Sequence, residues 1–302
     1  MRRRLDGVLL LDKPLGMGSN TALQAVKRLY RAQKAGHAGT LDPLASGLLP
    51  VLFGEATKFS QMVLEADKEY LAQARLGLTT TTGDAEGEVL ERRAVQVSHG
   101  AIEPVLQAFR GEIAQVPPMY SALKHEGRPL YALARKGQTV VRAPRRVRIH
   151  ELELLHFAGD TLDLRVRCSK GTYVRTLVED IGRALGPGAH LGGLRRIAAS
   201  GFRLQDAVTL DQLQQADAAG RDRWLLPTDR LLDGLPRVNL PAPMAERFEQ
   251  GQAIKLAQGI EGRCSVYREQ GALLGVGEAD ANGELHPRRL LSKLAESSQA
   301  AE

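Results

Sequence analysis

The pattern of apolar and polar positions along the chain predicts alternating strands and helices. Continuous apolar runs at 7–12 and 48–53 predict buried strands. Between these runs, residues 21–33 carry apolar side chains at helical spacing, and we expect Ser19 to cap this helix. Apolar side chains then recur at alternate positions in three later segments, at 70–76, 147–157 and 162–168. Together these patterns predict an α+β fold built on a mixed sheet.

The last fifth of the chain has a different pattern of apolar residues. From about residue 236 onward, short apolar runs are separated by glycines, a pattern typical of a small β-rich module. We therefore predict two domains, one over residues 1–235 and a smaller one over residues 236–302. A length of 302 residues is sufficient for both.

Composition narrows the class of protein. Hydrophobic residues make up 43% and charged residues 25% of the chain, as in a water-soluble globular protein. The chain has no apolar run long enough for a membrane span and no signal-peptide core at its start, so we expect a cytoplasmic protein. Cys168 and Cys264 lie far apart and form no metal-binding pattern, so we expect free thiols and no metal site.

Positive charge is concentrated in one segment. The net charge is +6 and the pI is near 9.4, which favours a polyanionic partner. Residues 124–148 hold eight cations against one anion, with Tyr131 among them and Tyr120 just before them. Cations suit RNA phosphates and tyrosines stack on bases, although a solvated basic loop would look similar. Candidate RNA contacts here are Lys124, Arg142, Arg145 and Arg146.

The stretch at 36–47 reads GHAGTLDPLASG and holds one carboxylate, Asp42, in a glycine-flanked Asp-Pro turn. Taken alone, such a turn is most often an ordinary surface turn. The pattern G-H-x-G-x-L-D-P-x-A-x-G, however, resembles the catalytic motif of the TruB family of tRNA pseudouridine synthases. This resemblance implies that Asp42 is the single essential catalytic residue.

Three further motifs follow the order of this family. The opening L-D-K-P-x-G brings in Lys13 as an RNA contact, and K-x-Y-x-x-x-x-x-L-G brings in Tyr70 as the side chain that stacks on the target base. The segment C-S-K-G-T-Y-x-R-T-L resembles the third signature, in which Arg175 pairs with the aspartate. An arginine early in a helix, which we expect Thr172 to cap, can hold a carboxylate in a bidentate pair.

The resemblance also implies the surroundings of the site. By the same correspondence, Tyr173 and Leu194 line the uridine pocket and His37 fills space beside the flipped base. A basic insertion at about 120–148 grips the T arm of tRNA, and the C-terminal domain is a PUA-like RNA-binding module. The implied activity is conversion of uridine 55 to pseudouridine, by a monomer that needs no cofactor and no obligatory protein partner.

Two other functions remain open from the sequence. The first is a guide-RNA-dependent pseudouridine synthase acting on other RNAs, although such proteins commonly carry lysine-rich tails that this chain lacks. The second is a non-catalytic protein that binds or folds tRNA. Nucleotide hydrolysis, hydride transfer and zinc-dependent chemistry are disfavoured because GxxxxGK[ST], strand-linked GxGxxG and HExxH motifs do not occur.

Overall fold

The computed structural model describes residues 2–121, 123–256 and 259–292. The last ten residues of the predicted second domain, 293–302, lie outside this description. The helices are α1 (Ser19–Leu29), α2 (Ser60–Glu65), α3 (His99–Ala108), α4 (Leu130–Ala134), α5 (Val174–Leu185), α6 (Leu210–Gln215), α7 (Ala218–Asp222) and α8 (Ala242–Glu249). Short 3₁₀ segments occur at Gly54–Phe59, Leu204–Asp206 and Thr228–Leu232.

The strands are, in chain order, β1 (Gly7–Lys13), β2 (Ala35–His37), β3 (Ala45–Phe53), β4 (Lys68–Leu76), β5 (Leu78–Thr80), β6 (Val89–Arg92), β7 (Gly111–Gln115), β8 (Lys124–His125), β9 (Arg128–Pro129), β10 (Arg145–Ala158), β11 (Thr161–Cys168), β12 (Ala189–Ala199), β13 (Phe202–Arg203), β14 (Val208–Thr209), β15 (Leu225–Leu226), β16 (Arg237–Leu240), β17 (Ile254–Lys255), β18 (Gly262–Arg268), β19 (Leu273–Ala279) and β20 (Glu284–Leu290).

One large sheet organises the first domain. Its main path runs β14-β1-β3-β12-β4-β11-β10-β7, with β2, β13 and β15 attached to β3, β12 and β1. The pairs β1–β14 and β3–β12 are parallel, whereas the other pairs along this path are antiparallel. The predicted mixed-sheet α+β fold is therefore confirmed.

Strand β1 is apolar throughout because both of its faces are covered. Leu9 and Leu11 pack with Val26 of α1, while Val8 and Leu10 pack in a second cluster that includes Phe59. A strand buried on both sides needs continuous rather than alternating apolar residues. The apolar run at 7–12 is explained in this way.

Strand β4 crosses the middle of the sheet between β12 and β11. Its residues Ala72, Ala74 and Leu76 point to one face and pack with Leu177 and Ile181 of α5. The apolar face of β4 and the apolar face of α5 therefore pack against each other in one hydrophobic core. This packing brings the start of α5 close to β4.

The structure contradicts both helix caps predicted from the sequence. Gly18 occupies the N-cap position of α1, and the Ser19 hydroxyl instead bonds the main chain of Leu41. Tyr173 occupies the N-cap position of α5, and the Thr172 hydroxyl donates to the carbonyl of Ser169. Each hydroxyl bonds a neighbouring loop, which helix-end patterns alone do not reveal.

The basic insertion leaves the large sheet after β7 and returns at β10. Residues 116–144 contain β8, β9 and α4, and we call this segment the arm. Arg145 and Arg146 lie on β10, where they pair with Gln115 and Ala114 of β7. The predicted insertion at 120–148 therefore overlaps a strand of the large sheet.

The C-terminal module is a five-stranded sheet in the order β16-β18-β19-β20-β17, packed against α8. It contacts the first domain where Lys58 Nζ donates to the Leu290 carbonyl at 2.9 Å. Cys264 in this module and Cys168 in β11 are buried free thiols, as predicted. Among the described residues, no helix has the length and apolar character needed to cross a membrane.

Candidate active site

The loop that carries Asp42 joins β2 to β3 and depends on two glycines. Gly39 and Gly47 have φ angles of 84° and 97°, in the left-handed region that favours glycine. A Cβ atom on Gly47 would lie 2.3 Å from the Arg196 carbonyl oxygen, so no larger residue fits there. The glycines of the motif therefore serve close packing of this loop against β12.

Buried side chains hold the loop from below. Arg196 is 1% exposed, and its guanidinium donates to the carbonyls of Leu48 at 2.7 Å and Gly39 at 2.8 Å. On the other side, the Ser19 hydroxyl bonds both the N–H and the carbonyl of Leu41 at 2.7 Å. These contacts fix the main chain on either side of the turn, and the Asp42 side chain remains 49% exposed.

Arg175 contacts Asp42 directly, although 133 positions separate the two residues in sequence. Its Nη2 atom lies 2.8 Å from Asp42 Oδ2. The same guanidinium donates to the carbonyls of Tyr120 at 2.7 Å and Thr82 at 3.2 Å, and the residue is 7% exposed. The expected bidentate pair is wrong, because the guanidinium divides its donors among several partners and gives Asp42 a single bond.

Asp84 is a second carboxylate beside Arg175 that sequence reasoning missed. It is 4% exposed, and its Oδ2 atom lies 3.5 Å from Arg175 Nε. Its other oxygen accepts bonds from the Thr82 hydroxyl and from the Glu86 N–H. Because a buried cation needs compensating charge, Asp84 stabilises Arg175 independently of Asp42. The segment 79–86 reads as a polar turn, which gave no sign of this contact.

A cavity of about 340 Å³ opens above the Asp42 loop. This volume is within the range of about 300–1,000 Å³ that is typical of small-molecule sites. The structure brings together in its wall five residues predicted from the sequence, namely Asp42, Tyr70, Tyr173, Arg175 and Leu194.

The three apolar or aromatic members of this set come from different elements. Tyr70 lies on β4, opposite Arg196 of β12, and Leu194 of β12 lies opposite Ala45 of β3. Tyr173 immediately precedes α5. Burial raises the pKa of the Tyr70 and Tyr173 phenols, so both rings are neutral at physiological pH. Two uncharged aromatic rings and a leucine provide surfaces on which a base can stack.

Gln115 fixes the main chain of Tyr173. This side chain is 2% exposed, its Oε1 atom accepts from the Tyr173 N–H at 3.1 Å, and its Nε2 atom donates to the Tyr173 carbonyl at 3.3 Å. Gln115 is also the last residue of β7 before the arm begins. A pattern of polar and apolar positions cannot identify such a clamp, because it joins residues 58 positions apart.

Two residues predicted to contact RNA lie outside the cavity wall. His37 is on β2, and burial together with the nearby Arg196 lowers the pKa of its imidazole, which favours the neutral form. Lys13 is 0% exposed, and its ammonium group donates to the carbonyls of Pro14 and Met17. Burial lowers the pKa of Lys13 to about 8. This burial contradicts a phosphate contact, and Lys13 instead stabilises the loop after β1.

Lys68 is a further buried cation that the sequence did not single out. It lines the cavity, and its ammonium group donates to the carbonyls of Val63, Leu64 and Ala66 near the end of α2. Burial lowers the pKa of Lys68 to about 8. Lys68 therefore anchors the C-terminal end of α2 to β4 at one side of the cavity.

The predicted RNA-contacting cations lie in the arm and at its return to the sheet. Lys124 and Arg145 are exposed, and Arg142 is partly buried. Arg146 forms an exposed ion pair with Glu112 at 2.7 Å, which contributes little to stability. The arm begins at the wall of the cavity, since the carbonyl of Tyr120 accepts from Arg175. These cations therefore belong to a segment that begins at the site.

Solved structures with this fold superpose on most of the chain. A crystal structure of a Cbf5–Nop10–Gar1 complex superposes with a TM-score of 0.72 and 28% identity, covering 92% of this chain and 79% of that chain. A structure of an H/ACA RNP bound to a substrate RNA containing 2′-deoxyuridine superposes with a TM-score of 0.73 and 25% identity. That match covers 95% of this chain and 85% of the other.

Sequence profiles identify the class of protein. Residues 27–174 match the N-terminal domain of the TruB family pseudouridylate synthases, and residues 175–233 match the C-terminal domain of tRNA pseudouridylate synthase B. Residues 236–291 match the C-terminal domain of pseudouridine synthase II TruB. The cavity with its carboxylate thus belongs to a pseudouridine synthase, which is an isomerase.

Curated relatives define the family within this class. A tRNA pseudouridine synthase B of Methylobacillus flagellatus is 55% identical over 98% of this chain and 98% of its own length. The tRNA pseudouridine synthase B of Burkholderia mallei is 57% identical over 96% of this chain and 98% of its own length. The chain belongs to the TruB family of pseudouridine synthases.

Proposed function

We propose that this enzyme converts uridine 55 of tRNA to pseudouridine and that Asp42 is the catalytic carboxylate. The observation that carries the proposal is the pair formed by Asp42 and Arg175 at the wall of a cavity lined by Tyr70 and Tyr173. Relatives named tRNA pseudouridine synthase B, at 55–57% identity, support tRNA as the substrate.

The reaction is a redox-neutral isomerisation. The bond between N1 of the uracil and C1′ of the ribose breaks, the base turns, and C5 bonds to the same C1′. The proton on C5 is then lost as N1 gains one, so atoms balance without an oxidant or a cofactor. Asp42 acts as a nucleophile at the base or the sugar, or as a base on the sugar, and all three roles fit a half-exposed carboxylate.

The uridine has to leave its stack to reach Asp42. Extruding a base costs a few kcal/mol, and stacking on an aromatic ring returns about 1–3 kcal/mol per base. Tyr70 supplies such a ring beside the carboxylate. The arm then grips the T arm through its phosphates, which positions the RNA without reading its sequence.

This function has consequences for the location, the assembly state and the second domain of the protein. A tRNA substrate implies a cytoplasmic enzyme, and the complete cavity within one chain supports a monomer that acts without a protein partner. The C-terminal module supplies a modest second RNA contact of PUA type. Residues 244–302 hold 7 cations and 9 anions, giving a net charge of 7 − 9 = −2, so its phosphate attraction is weak.

Incubation of the purified protein with an unmodified tRNA transcript tests the proposal. Mapping should find pseudouridine at position 55, without any added RNA or protein. Modification that required a guide RNA would instead identify a guide-RNA-dependent pseudouridine synthase. Tight tRNA binding without any pseudouridine would identify a non-catalytic tRNA-binding or tRNA-folding protein.

A further inference from the structure

A basic groove lies at the C-terminal end of helix α1, away from the cavity. We call it the α1 groove. It has a volume of about 410 Å³. Its lining residues are Arg2, Gln24, Lys27, Arg28, Arg31 and Ala32. Four of these six side chains are cationic and none is acidic, so the α1 groove attracts anions.

Within the described residues, the cations of the α1 groove form no ion pair, whereas the neighbouring Arg3 does. Arg3, next to Arg2 in sequence, forms an ion pair with Asp222 at 2.6 Å. Across the part of the chain that the structure describes, no carboxylate forms such a pair with Arg2, Lys27, Arg28 or Arg31. Internal ion pairing therefore does not explain why these four cations are gathered here.

The conformation of Arg31 argues against a purely structural role. The N–H groups of Arg31 and Ala32 bond back to the carbonyls of Arg28 and Lys27, closing helix α1 in a Schellman motif. Arg31 has φ 52°, at the position in this motif that glycine normally occupies. The helix dipole favours Lys27 and Arg28 in the last turn, but it does not account for Arg31 or Arg2.

The chain start is tied to this helix end, which makes the groove a defined shape. The Arg3 N–H donates to the Arg31 carbonyl at 2.7 Å, and the Gln33 N–H donates to the Arg3 carbonyl at 2.9 Å. The Gln33 side chain donates to the Arg2 carbonyl at 3.3 Å. Arg2 is therefore held opposite Arg28 and Arg31.

The α1 groove lies too far from Asp42 to hold the same nucleotide. The N-terminal end of α1 touches the Asp42 loop through Ser19 and Leu41. A helix of 11 residues, as α1 is, extends about 16 Å at about 1.5 Å per residue. An RNA bound at Asp42 therefore reaches the α1 groove only with nucleotides other than the target uridine.

We infer that the α1 groove binds the phosphodiester backbone of tRNA outside the T arm. This inference rests on the proposed tRNA activity and adds a second, catalytically silent contact to it. Groups that only contact phosphates raise affinity for every tRNA alike and leave the rate for bound RNA unchanged. Because the arm is proposed to hold the T arm, we assign the α1 groove to another part of the tRNA, and an isolated T-arm hairpin should not use it.

The test compares two RNAs and two matched variants. The groove variant carries Arg2→Gln, Arg28→Gln and Arg31→Gln, and the control variant carries Arg92→Gln, Arg183→Gln and Arg203→Gln, which are exposed cations elsewhere. Both variants lose the same charge. Dissociation constants are measured at several salt concentrations for an unmodified tRNA transcript and for a T-arm hairpin, and thermal unfolding confirms that both variants fold.

We expect the groove variant to bind the tRNA about tenfold or more weakly at moderate salt. Its log–log salt slope should be shallower by about 2–3, at about 0.7–0.9 per phosphate contact. Hairpin affinity should change by no more than about twofold, as should the single-turnover rate at saturating tRNA. The control variant should leave the difference between tRNA and hairpin unchanged.

Three results would overturn the inference. They are an unchanged tRNA salt slope, an equal loss for tRNA and hairpin, and an equal loss in the control variant. The first result means a solvated helix end, and the others mean a contact to the T arm or a non-specific charge effect. If the wild-type protein modified neither RNA, the proposed function itself would fail, which is a distinct outcome.

Discussion

Arg175 and Asp42 form an ion pair in which one partner is fixed and the other is accessible. The Arg175 side chain is 8% exposed and the Asp42 side chain is 49% exposed, with 2.8 Å between Nη2 and Oδ2. Because Arg175 also donates to the Tyr120 and Thr82 carbonyls, its position does not depend on Asp42. A fixed arginine thus orients one oxygen of a carboxylate that substrate can reach.

Asp42→Asn should abolish isomerisation while tRNA affinity stays within a few fold of wild type. The amide keeps the shape of the side chain but is a poor nucleophile and base, and one carboxylate contributes little to the phosphate contacts. Single-turnover assays and filter binding measure the two effects separately.

Asp12→Asn is the matched control. Asp12 lies on β1 and pairs with Arg195 at 2.6 Å, outside the cavity wall. The control should retain most of the activity. Normal turnover by Asp42→Asn would show that the chemistry belongs to another residue.

Gln115→Glu should give a slow enzyme whose rate recovers as the pH falls. An ionised glutamate accepts the Tyr173 N–H but turns an acceptor toward the Tyr173 carbonyl, to which Gln115 donates at 3.3 Å. Leaving buried polar groups unmatched costs about 1–3 kcal/mol. We therefore expect a single-turnover rate at pH 8 about tenfold or more below wild type.

Protonation restores the missing donor, so the ratio of the variant rate to the wild-type rate should rise at lower pH. Gln115→Leu removes both bonds and should be slow at every pH, which provides the control. Parallel pH profiles for the two variants would mean that Gln115 is only a packing residue.

The sequence predicts contacts along the chain better than contacts across it. Strand β4 and helix α1 follow from local periodicity, because each buries one face in a hydrophobic core. The pairing of Asp42 with Arg175 followed only from the family resemblance. Asp84 and Gln115 were missed because their partners, Arg175 and Tyr173, are remote in sequence.

Lys13 is the converse case, a residue that was predicted to contact RNA and is buried instead. The family resemblance implied an RNA contact for this residue, and a lysine is seldom fully buried. The turn after β1 instead supplies carbonyl oxygens that accept from its ammonium group. Whether a lysine is buried depends on the path of the main chain around it, which the sequence pattern does not specify.

Tyr70→Phe should retain most activity, whereas Tyr70→Ala should lose much of it. Phenylalanine keeps the ring that lines the cavity, and alanine gives up about 1–3 kcal/mol of base stacking. The measurement is kcat/KM for tRNA, with thermal unfolding to separate lost packing from lost stacking. Small, equal effects of both substitutions on activity would assign Tyr70 to the core alone.

Both cysteine thiols should be inert in the folded protein at pH 8. Burial raises the pKa of Cys168 to about 11 and also raises the pKa of Cys264. At pH 8 about one Cys168 side chain in a thousand is then a thiolate, the form that reacts with thiol reagents. Labelling should be slow in buffer and fast for both thiols in denaturant, and Cys168→Ala assigns the two signals. Rapid labelling of native protein would contradict the buried placement of both residues.

Replacing Arg142, Arg145 and Arg146 by Gln should weaken binding of the T-arm hairpin and of full-length tRNA alike. The three cations lie in the arm or where it rejoins β10, and Arg145 and Arg146 are exposed. Losing up to three phosphate contacts should make the log–log salt slope shallower by about 2–3, at about 0.7–0.9 per contact. Arg146 already pairs with Glu112 at 2.7 Å, so its share of the lost affinity should be the smallest of the three.

The single-turnover rate at saturating RNA should change much less than affinity, because these side chains position the RNA and take no part in bond making. Single substitutions rank the three residues, and a hairpin salt slope unchanged in the triple variant would make the arm a solvated loop.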